Sequence, residues 1–261
     1  MFPAERIVCL TEETVETLYL LGEQDRIVGV SGYVVRPKEA RRDKPRVSAF
    51  ISADTKKILA LEPDLVLTFS DLQADIVAEL IRHGLAVHAF NQRDLAGIFA
   101  MMRMVGAFAG ADAKAAALAA ELEARLEAAR QQSRALQRRP KVFFEEWDDP
   151  LISGIGWVSE LVEIAGGLDI FPGRAKEGRA KDRIVLPADV VAAAPDIIIG
   201  SWCGKKFSPA KVRTRPGFAE VPAVRNGHLY EIKSPIILQP GPASLTDGLE
   251  ALQTIIHAWA K

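Results

Sequence analysis

Short apolar segments alternate with amphipathic segments along the chain, and the same order occurs twice. In the first copy the pattern predicts strands at Ile7–Leu10, Ile27–Val30, Leu65–Thr68 and Ala86–Ala89, with helices over Thr14–Leu21, Thr55–Leu61 and Leu72–His83. In the second copy it predicts strands at Lys141–Phe144, Ile197–Gly200 and Leu229–Glu231, with helices over Val158–Ala165, Pro187–Ala193 and Leu245–Ala260. Strands separated by helices are typical of βα units, so we expect two Rossmann-like α/β lobes with mainly parallel sheets.

The segment between the two copies differs from both. The apolar composition of residues 94–109 predicts a buried helix. Residues 111–139 are rich in Ala, Leu, Glu and Arg and contain no Gly or Pro, which predicts a long helix. About 27 helical residues would span about 40 Å, which is long enough to join two lobes rigidly. The predicted organisation is an N-terminal α/β lobe (1–109), a linking helix (110–139) and a C-terminal α/β lobe (140–261). A ligand cleft is expected between the lobes, at strand ends.

Composition narrows the class of partner. The formal net charge of the 261 residues is −1, with both signs spread along the chain, so no nucleic acid or polybasic membrane contact is expected. The basic segment 36–46 is interpreted as a solvated loop. Two cysteines exclude a disulfide framework, and Cys9 in an apolar strand predicts a small buried side chain.

Three tryptophans stand where a ligand could reach them. Trp147, Trp157 and Trp202 follow predicted strands or lie in a Gly-rich turn, whereas Trp259 on the last helix is expected to pack. A large ring exposed on a loop is unfavourable unless a ligand or partner covers it. The sequence therefore predicts an aromatic ligand site, with core packing as the alternative. Polar groups for orientation could come from Glu146, Ser201 and Gln239.

Catalytic and metal chemistry have weaker support. Cys203 beside Lys205 and Lys206 could act as a nucleophile or metal ligand, although a simple loop thiol is the favoured interpretation. The two lysines could instead meet an anionic ligand group. The carboxylates of 145–146 and 148–149 flank Trp147; adjacent residues point apart, so we expect a solvated acidic rim rather than an acid/base pair. The four histidines align on no common site, so no metal site is predicted.

Several stretches resemble one known family. RIVCLTEETVETLYLLGEQDRIVGVSGY (6–33), PDLVLTF (63–69), EIAGGLDIF (163–171), PDIII (195–199) and the long mid-chain helix are similar to the substrate-binding proteins of ABC importers. The branch is the one with a helical backbone, which captures cobalamin, iron-siderophores and haem. EEWDDPLISGIGWVSEL (145–161), GSWCGKKF (200–207) and EIKSPIILQPGP (231–242) are most similar to the cobalamin-binding members.

The resemblance implies a function and a set of residues. It implies a monomeric binding protein without enzymatic activity or resident cofactor, which carries cobalamin or another corrinoid to a membrane permease. By position, it places ligand contacts at Tyr33, Phe69, Ser70, Asp71, Glu146, Trp147, Trp157, Trp202, Cys203 and Gln239. The family commonly has Trp where Phe69 stands. Its permease-docking glutamates correspond here to Asp75 and to Ala188, with Asp189 adjacent.

Alternatives remain open at this point. A ferric siderophore or haem could be the ligand of the same fold. The resemblance implies periplasmic residence, but the N-terminus MFPAERIVCL shows no basic region followed by a long apolar run, as an export signal would. A cytoplasmic enzyme or sensor that handles corrinoids or tetrapyrroles is therefore the second alternative.

Overall fold

The computed structural model describes residues 3–261, which divide into two compact units. The first lobe comprises residues up to Gln92 together with Ala96–Glu121, and the second comprises Arg93–Leu95 and Leu122–Lys261. The boundary falls inside the long mid-chain helix. Each lobe is an α/β unit with a mainly parallel sheet, which confirms the predicted fold class.

The first lobe contains a parallel sheet with strand order β3-β2-β1-β4-β5. Its strands are β1 (Ile7–Cys9), β2 (Ile27–Ser31), β3 (Arg46–Ser48), β4 (Leu65–Phe69) and β5 (Val87–Phe90). The helices of this half of the chain are α1 (Glu12–Leu20), α2 (Lys38–Asp43), α3 (Thr55–Ala60), α4 (Ala74–Arg82), α5 (Leu95–Phe108) and α6 (Asp112–Arg134). The chain order runs outward from β1 on one side and from β4 on the other. The carboxyl ends of β1 and β4 therefore form a topological switch point, where ligands bind in open α/β sheets.

The central strands β1 and β4 are continuously buried, as is typical of parallel sheets. Val8, Val66 and Leu67 are fully buried, as expected for short apolar runs covered by helices on both faces. Val8 and Val66 pack with Ile58 of α3 and Leu80 of α4 in one core cluster. The helices thus hold β1 and β4 side by side.

The second lobe has strand order β10-β9-β6-β7, with β8 also paired to β6. Its strands are β6 (Lys141–Asp148), β7 (Leu151–Ser153), β8 (Leu168–Asp169), β9 (Ile197–Gly200) and β10 (Leu229–Glu231). Its helices are α7 (Gly156–Ile164), α8 (Pro172–Ala175), α9 (Pro187–Ala193), α10 (Pro209–Arg213), α11 (Pro222–Arg225), α12 (Ser234–Ile237) and α13 (Leu249–Ala260), the last preceded by a π-helical turn (Ser244–Gly248). β7 is antiparallel to β6, and the other pairs are parallel.

Strand β6 is longer than predicted. Its second half pairs with β7, which the sequence pattern did not reveal, so the strand continues to Asp148. Glu146 and Trp147 therefore lie in a strand and not in a loop. The pairing shifts in register between Glu145 and Trp147, which marks a β-bulge of the kind that redirects side chains near functional sites.

The long helix is shorter than predicted. It ends at Arg134 and not near residue 139, because the N–H groups of Ala135 and Leu136 bond to carbonyls three residues back. Such bonds tighten and close a final turn. Beyond them, the Arg139 guanidinium donates to the Gly166 and Gly167 carbonyls, and the chain then enters β6.

Two smaller expectations have clear outcomes. The basic segment 36–46 is not a plain loop, because it holds α2 and reaches β3, a short strand whose Arg46 is exposed. Cys9 is fully buried in β1, as predicted, and burial raises the pKa of its thiol to about 12. Within residues 3–261, none of the helices combines the length and apolar character needed to cross a membrane.

Gly200 at the end of β9 tests how closely the second lobe is packed. A Cβ there would lie 1.9 Å from Phe207 Cδ2, so Gly200→Ala should lower the free energy of unfolding by about 1–3 kcal/mol in urea titrations. Gly173→Ala is the matched control, because a Cβ at Gly173 meets nothing within 4 Å. Equal stability of Gly200→Ala and the wild type would show that Phe207 does not pack against this strand.

Candidate functional site

One buried amide organises the switch-point edge of the first lobe. Gln73 is fully buried; its Oε1 accepts from the Phe69 N–H at 3.0 Å, and its Nε2 donates to the Phe50 carbonyl at 2.8 Å and the Leu10 carbonyl at 3.4 Å. It therefore ties together the chain segments that follow β1, β3 and β4. Nothing in the sequence pattern singled out Gln73, since two of its three partners, Leu10 and Phe50, are distant in the chain.

The turn after β4 begins with an unusual backbone conformation. Ser70 has φ of 65°, in the left-handed region, and its Oγ accepts from the Leu72 N–H at 3.3 Å. Non-glycine residues in this region often accompany functional turns. The turn leaves Asp71 and Leu72 on the surface, with Leu72 60% exposed.

The predicted contacts of the first lobe lie on the same edge of the sheet. Tyr33 follows β2, is 58% exposed, and its N–H donates to Ser31 Oγ. Phe69, however, is the last residue of β4 and is buried, so the expectation that it stands in a loop beyond the strand is wrong. Two exposed apolar side chains not predicted as contacts, Ile51 after β3 and Leu72 after β4, join Tyr33 on this edge.

A buried acid at the end of β1 was also missed by the sequence reasoning. Glu13 is buried in the first turn of α1 and accepts a hydrogen bond from Thr11 Oγ1 at 2.8 Å. Burial, assisted by the neighbouring charge of Glu12, raises the pKa of the Glu13 carboxyl to about 8. Acids in the first turn of a helix interact favourably with the helix dipole, so the local pattern carries no sign that Glu13 is buried.

The matching edge of the second lobe is built around a buried ion pair. Glu145 of β6 is fully buried and accepts two guanidinium N–H groups of Arg215, at 2.6 and 2.7 Å. The indole N–H of Trp202, just after β9, donates to the same carboxylate at 2.9 Å. Burial raises the pKa of the Glu145 carboxyl, while the bonds from Arg215 and Trp202 act in the opposite direction.

A second buried carboxylate collects two lysines and an aromatic ring. Asp148 is buried and pairs with the ammonium groups of Lys205 and Lys211. Burial alone would raise the pKa of Asp148, but hydrogen bonds from the two lysines outweigh it and hold that pKa below its usual value. The Lys205 ammonium also lies over the Trp147 ring, 4.0 Å from its centroid.

The predicted acidic rim is therefore wrong in large part. Glu145 and Asp148 are buried and paired with cations, and of the four carboxylates only Asp149 is exposed. Glu146, half-buried, forms a two-bond pair with Arg183 instead, at 2.6 and 3.0 Å. Neighbouring acids on the strand do point to different partners, as expected.

Two of the three predicted contact tryptophans are not exposed. Trp202 packs in the second-lobe core against Phe207, and Trp157 is buried in α7 with its indole N–H donating to the Ile237 carbonyl at 2.9 Å. Trp147 is half-buried in β6. Contact of these three rings with a ligand stays a prediction. For Trp157 and Trp202 it is no longer supported by exposure of the rings on loops, because both rings are buried.

The other predicted residues are placed as follows. Gln239 is half-buried two residues beyond the carbonyl that receives Trp157, and Cys203 is exposed in the turn after Trp202. Asp75 is exposed on α4. Asp189 is exposed too, but its carboxylate accepts from the Leu186 N–H at the start of α9. Among residues 3–261, no group of His, Cys, Asp and Glu is arranged to hold a metal ion.

Glu13 predicts how stability depends on pH. Its native pKa of about 8 exceeds the ordinary value of 4.5, so between these values the native state keeps a proton that the unfolded chain has lost. The free energy of unfolding should therefore fall as pH rises through this window, by up to about 1.4 kcal/mol per pH unit from this group. Urea titrations across the window should show that Glu13→Gln removes this slope and that exposed Glu79→Gln retains it. Equal slopes in both variants would contradict the assignment.

Comparison with known proteins agrees with this architecture. The chain is 24% identical to an uncharacterised ABC transporter substrate-binding lipoprotein, YvrC of Bacillus subtilis, over 97% of this chain and 80% of the relative. The crystal structure of the periplasmic vitamin B12-binding protein BtuF of Vibrio cholerae superposes with a TM-score of 0.78 at 24% identity, covering 99% of each chain. The periplasmic haem-binding protein RhuT of Roseiflexus gives 0.83 at 24% identity, covering 99% of this chain and 100% of the other.

The two solved structures share the fold, and their proteins are described as binding different ligands, vitamin B12 and haem. The model of the periplasmic binding protein family matches residues 7–236, which include both sheet edges described above. The chain therefore belongs to the periplasmic binding protein family.

Proposed function

We propose that this protein is the substrate-binding component of an ABC importer and that it captures cobalamin or a related corrinoid. The observation that carries the proposal is the set of apolar and aromatic side chains at the carboxyl ends of the strands. Tyr33 and Leu72 are exposed on the edge of the first lobe, and Trp147 is half-buried on the edge of the second. A corrin ring offers a broad apolar face that such side chains contact well.

The polar surroundings suit the rim of such a ligand. Asp71 is exposed beside Leu72, and Gln239 and Glu146 are half-buried in the second lobe. Amide and carboxylate side chains can orient the amide groups around a corrin without contributing most of the binding energy. Gln73 and Glu145 are buried beneath these two sheet edges, and their hydrogen bonds would hold the ligand-contacting side chains in place before the ligand binds.

Haem or a ferric siderophore is the second candidate, and a specific observation favours it. Lys205, Lys206 and Lys211 are exposed on the segment that follows β9, and the first of them lies on the Trp147 ring. Ammonium groups beside an aromatic face suit a flat ligand with peripheral carboxylates. RhuT, with its described haem-binding activity, shares the fold.

Delivery to a permease and periplasmic residence belong to the same proposal. The vitamin B12-binding and haem-binding relatives are described as periplasmic. On α4, Asp75 and Glu79 are both exposed and one turn apart, so two acids could meet basic permease residues. In the second lobe the candidate is Asp189, although part of its hydrogen-bonding capacity is used at the start of α9.

Calorimetric titration with cyanocobalamin, haemin and a ferric hydroxamate tests the proposal. We expect submicromolar binding of a macrocycle, weakened about tenfold or more in Trp147→Ala because a large ring contact is lost. Trp259→Phe on α13 is the matched control and should bind as the wild type does. If only the ferric hydroxamate binds, the protein is still a substrate-binding protein, but its ligand is not a macrocycle. If none of the three ligands binds, the proposed function is contradicted.

A further inference from the structure

We propose that Lys205 determines ligand specificity: its ammonium transfers from Asp148 and the Trp147 ring to an anionic group on the ligand, so macrocycles with peripheral carboxylates are selected over amidated ones. The inference rests on the proposed function and narrows its ligand: among corrinoids and haem, the site prefers a macrocycle with free peripheral carboxylates to cobalamin, whose peripheral groups are amides. The fold is shared by proteins that bind different ligands, and Lys205 would decide which class of macrocycle binds here.

The position of Lys205 is the first support. Its ammonium lies 4.0 Å from the centroid of the Trp147 ring and 5.2 Å from that of Trp202. It therefore occupies the ring face that a flat ligand would use. Any flat ligand on this face would displace the cation from the ring. An anionic ligand would regain it as an ion-pair partner, whereas a ligand without an anionic group would not.

Because Asp148 is paired with two lysines, the free-energy cost of moving the Lys205 ammonium away from it is low. Removing the only partner of a buried carboxylate is strongly unfavourable, because the charge is left uncompensated. Asp148, whose side chain is 1% exposed, is also paired with Lys211 at 2.5 Å. When Lys205 moves away, Lys211 therefore continues to neutralise the carboxylate. Lys205 itself is 40% exposed and has room to reorient.

The charge balance points in the same direction. Two ammonium groups share the one carboxylate of Asp148, which leaves one positive charge in excess. The neighbouring acids do not cancel it: Glu145 is paired with Arg215 and Glu146 with Arg183. In the count of formal charges, the exposed Asp149 after β6 is offset by Lys206, which is exposed on the segment after β9.

Selectivity between two classes of macrocycle provides the test. The carboxylate class is represented by dicyanocobyrinic acid and haemin, and the amidated class by dicyanocobinamide. In calorimetric titrations we expect Lys205→Gln to weaken binding of the carboxylate class by at least about tenfold and that of the amidated class by less than about twofold. Lys205→Arg should restore most of the preference, and Lys233→Gln, an exposed lysine after β10, controls for the loss of one charge.

Each other outcome has a definite meaning. Equal weakening of both classes by Lys205→Gln would assign Lys205 a packing role and overturn the inference, as would an equal effect of Lys233→Gln. Unchanged affinities in Lys205→Gln, with the wild type binding either class, would overturn the inference and leave the proposed function standing. Failure of the wild-type protein to bind any of the three macrocycles would overturn both.

Discussion

The buried ion pair between Glu145 and Arg215 is the constraint on which the second lobe's candidate site depends. Glu145 is wholly buried in the middle of β6, opposite the last residue of β9, where an unpaired carboxylate would be strongly unfavourable. Arg215 and the Trp202 indole supply its partners from the segment that follows β9. That segment must therefore fold back over the sheet edge, and in doing so it carries Lys205 and Lys211 to Asp148.

In the first lobe an uncharged side chain, and not an ion pair, holds the strand ends in place. There the Gln73 amide bonds to three backbone groups and holds the ends of β1 and β4 beside the segment after β3. In both lobes a buried polar side chain fixes the strand ends, and the exposed side chains stand on turns attached to them. A rigid edge with variable turns is the arrangement by which one fold can carry different ligands.

The sequence predicted the elements whose signals are local. Helix α9 and strand β9 have the predicted bounds, because a proline starts the helix and another proline precedes an unbroken β-branched run. Strand β7 and the burial of Trp202 could not be predicted in this way. Strand β7 exists only because it pairs with β6. The indole of Trp202 is buried against Glu145, and no local pattern reveals that contact because Glu145 lies 57 residues earlier in the chain.

The site residues show the same division. The sequence indicated the correct edges of the sheets, since strand ends can be located from apolar runs and turns. It gave no means to tell that Glu145 and Asp148 are buried beside cations while Asp149 is exposed, because the deciding residues, Arg215, Lys205 and Lys211, are far along the chain. Partner identity is a tertiary property.

A double-mutant cycle on Glu145 and Arg215 tests the central claim most directly. The free energy of unfolding would be measured in urea for the wild type, Glu145→Gln, Arg215→Met and the double variant, with the exposed pair Arg125 and Glu250 treated in the same way as a control. The account predicts a coupling energy on the order of 2 kcal/mol or more for the buried pair and below about 1 kcal/mol for the exposed pair. Additive effects at Glu145 and Arg215 would contradict it, because the segment after β9 would then be held in place by something else.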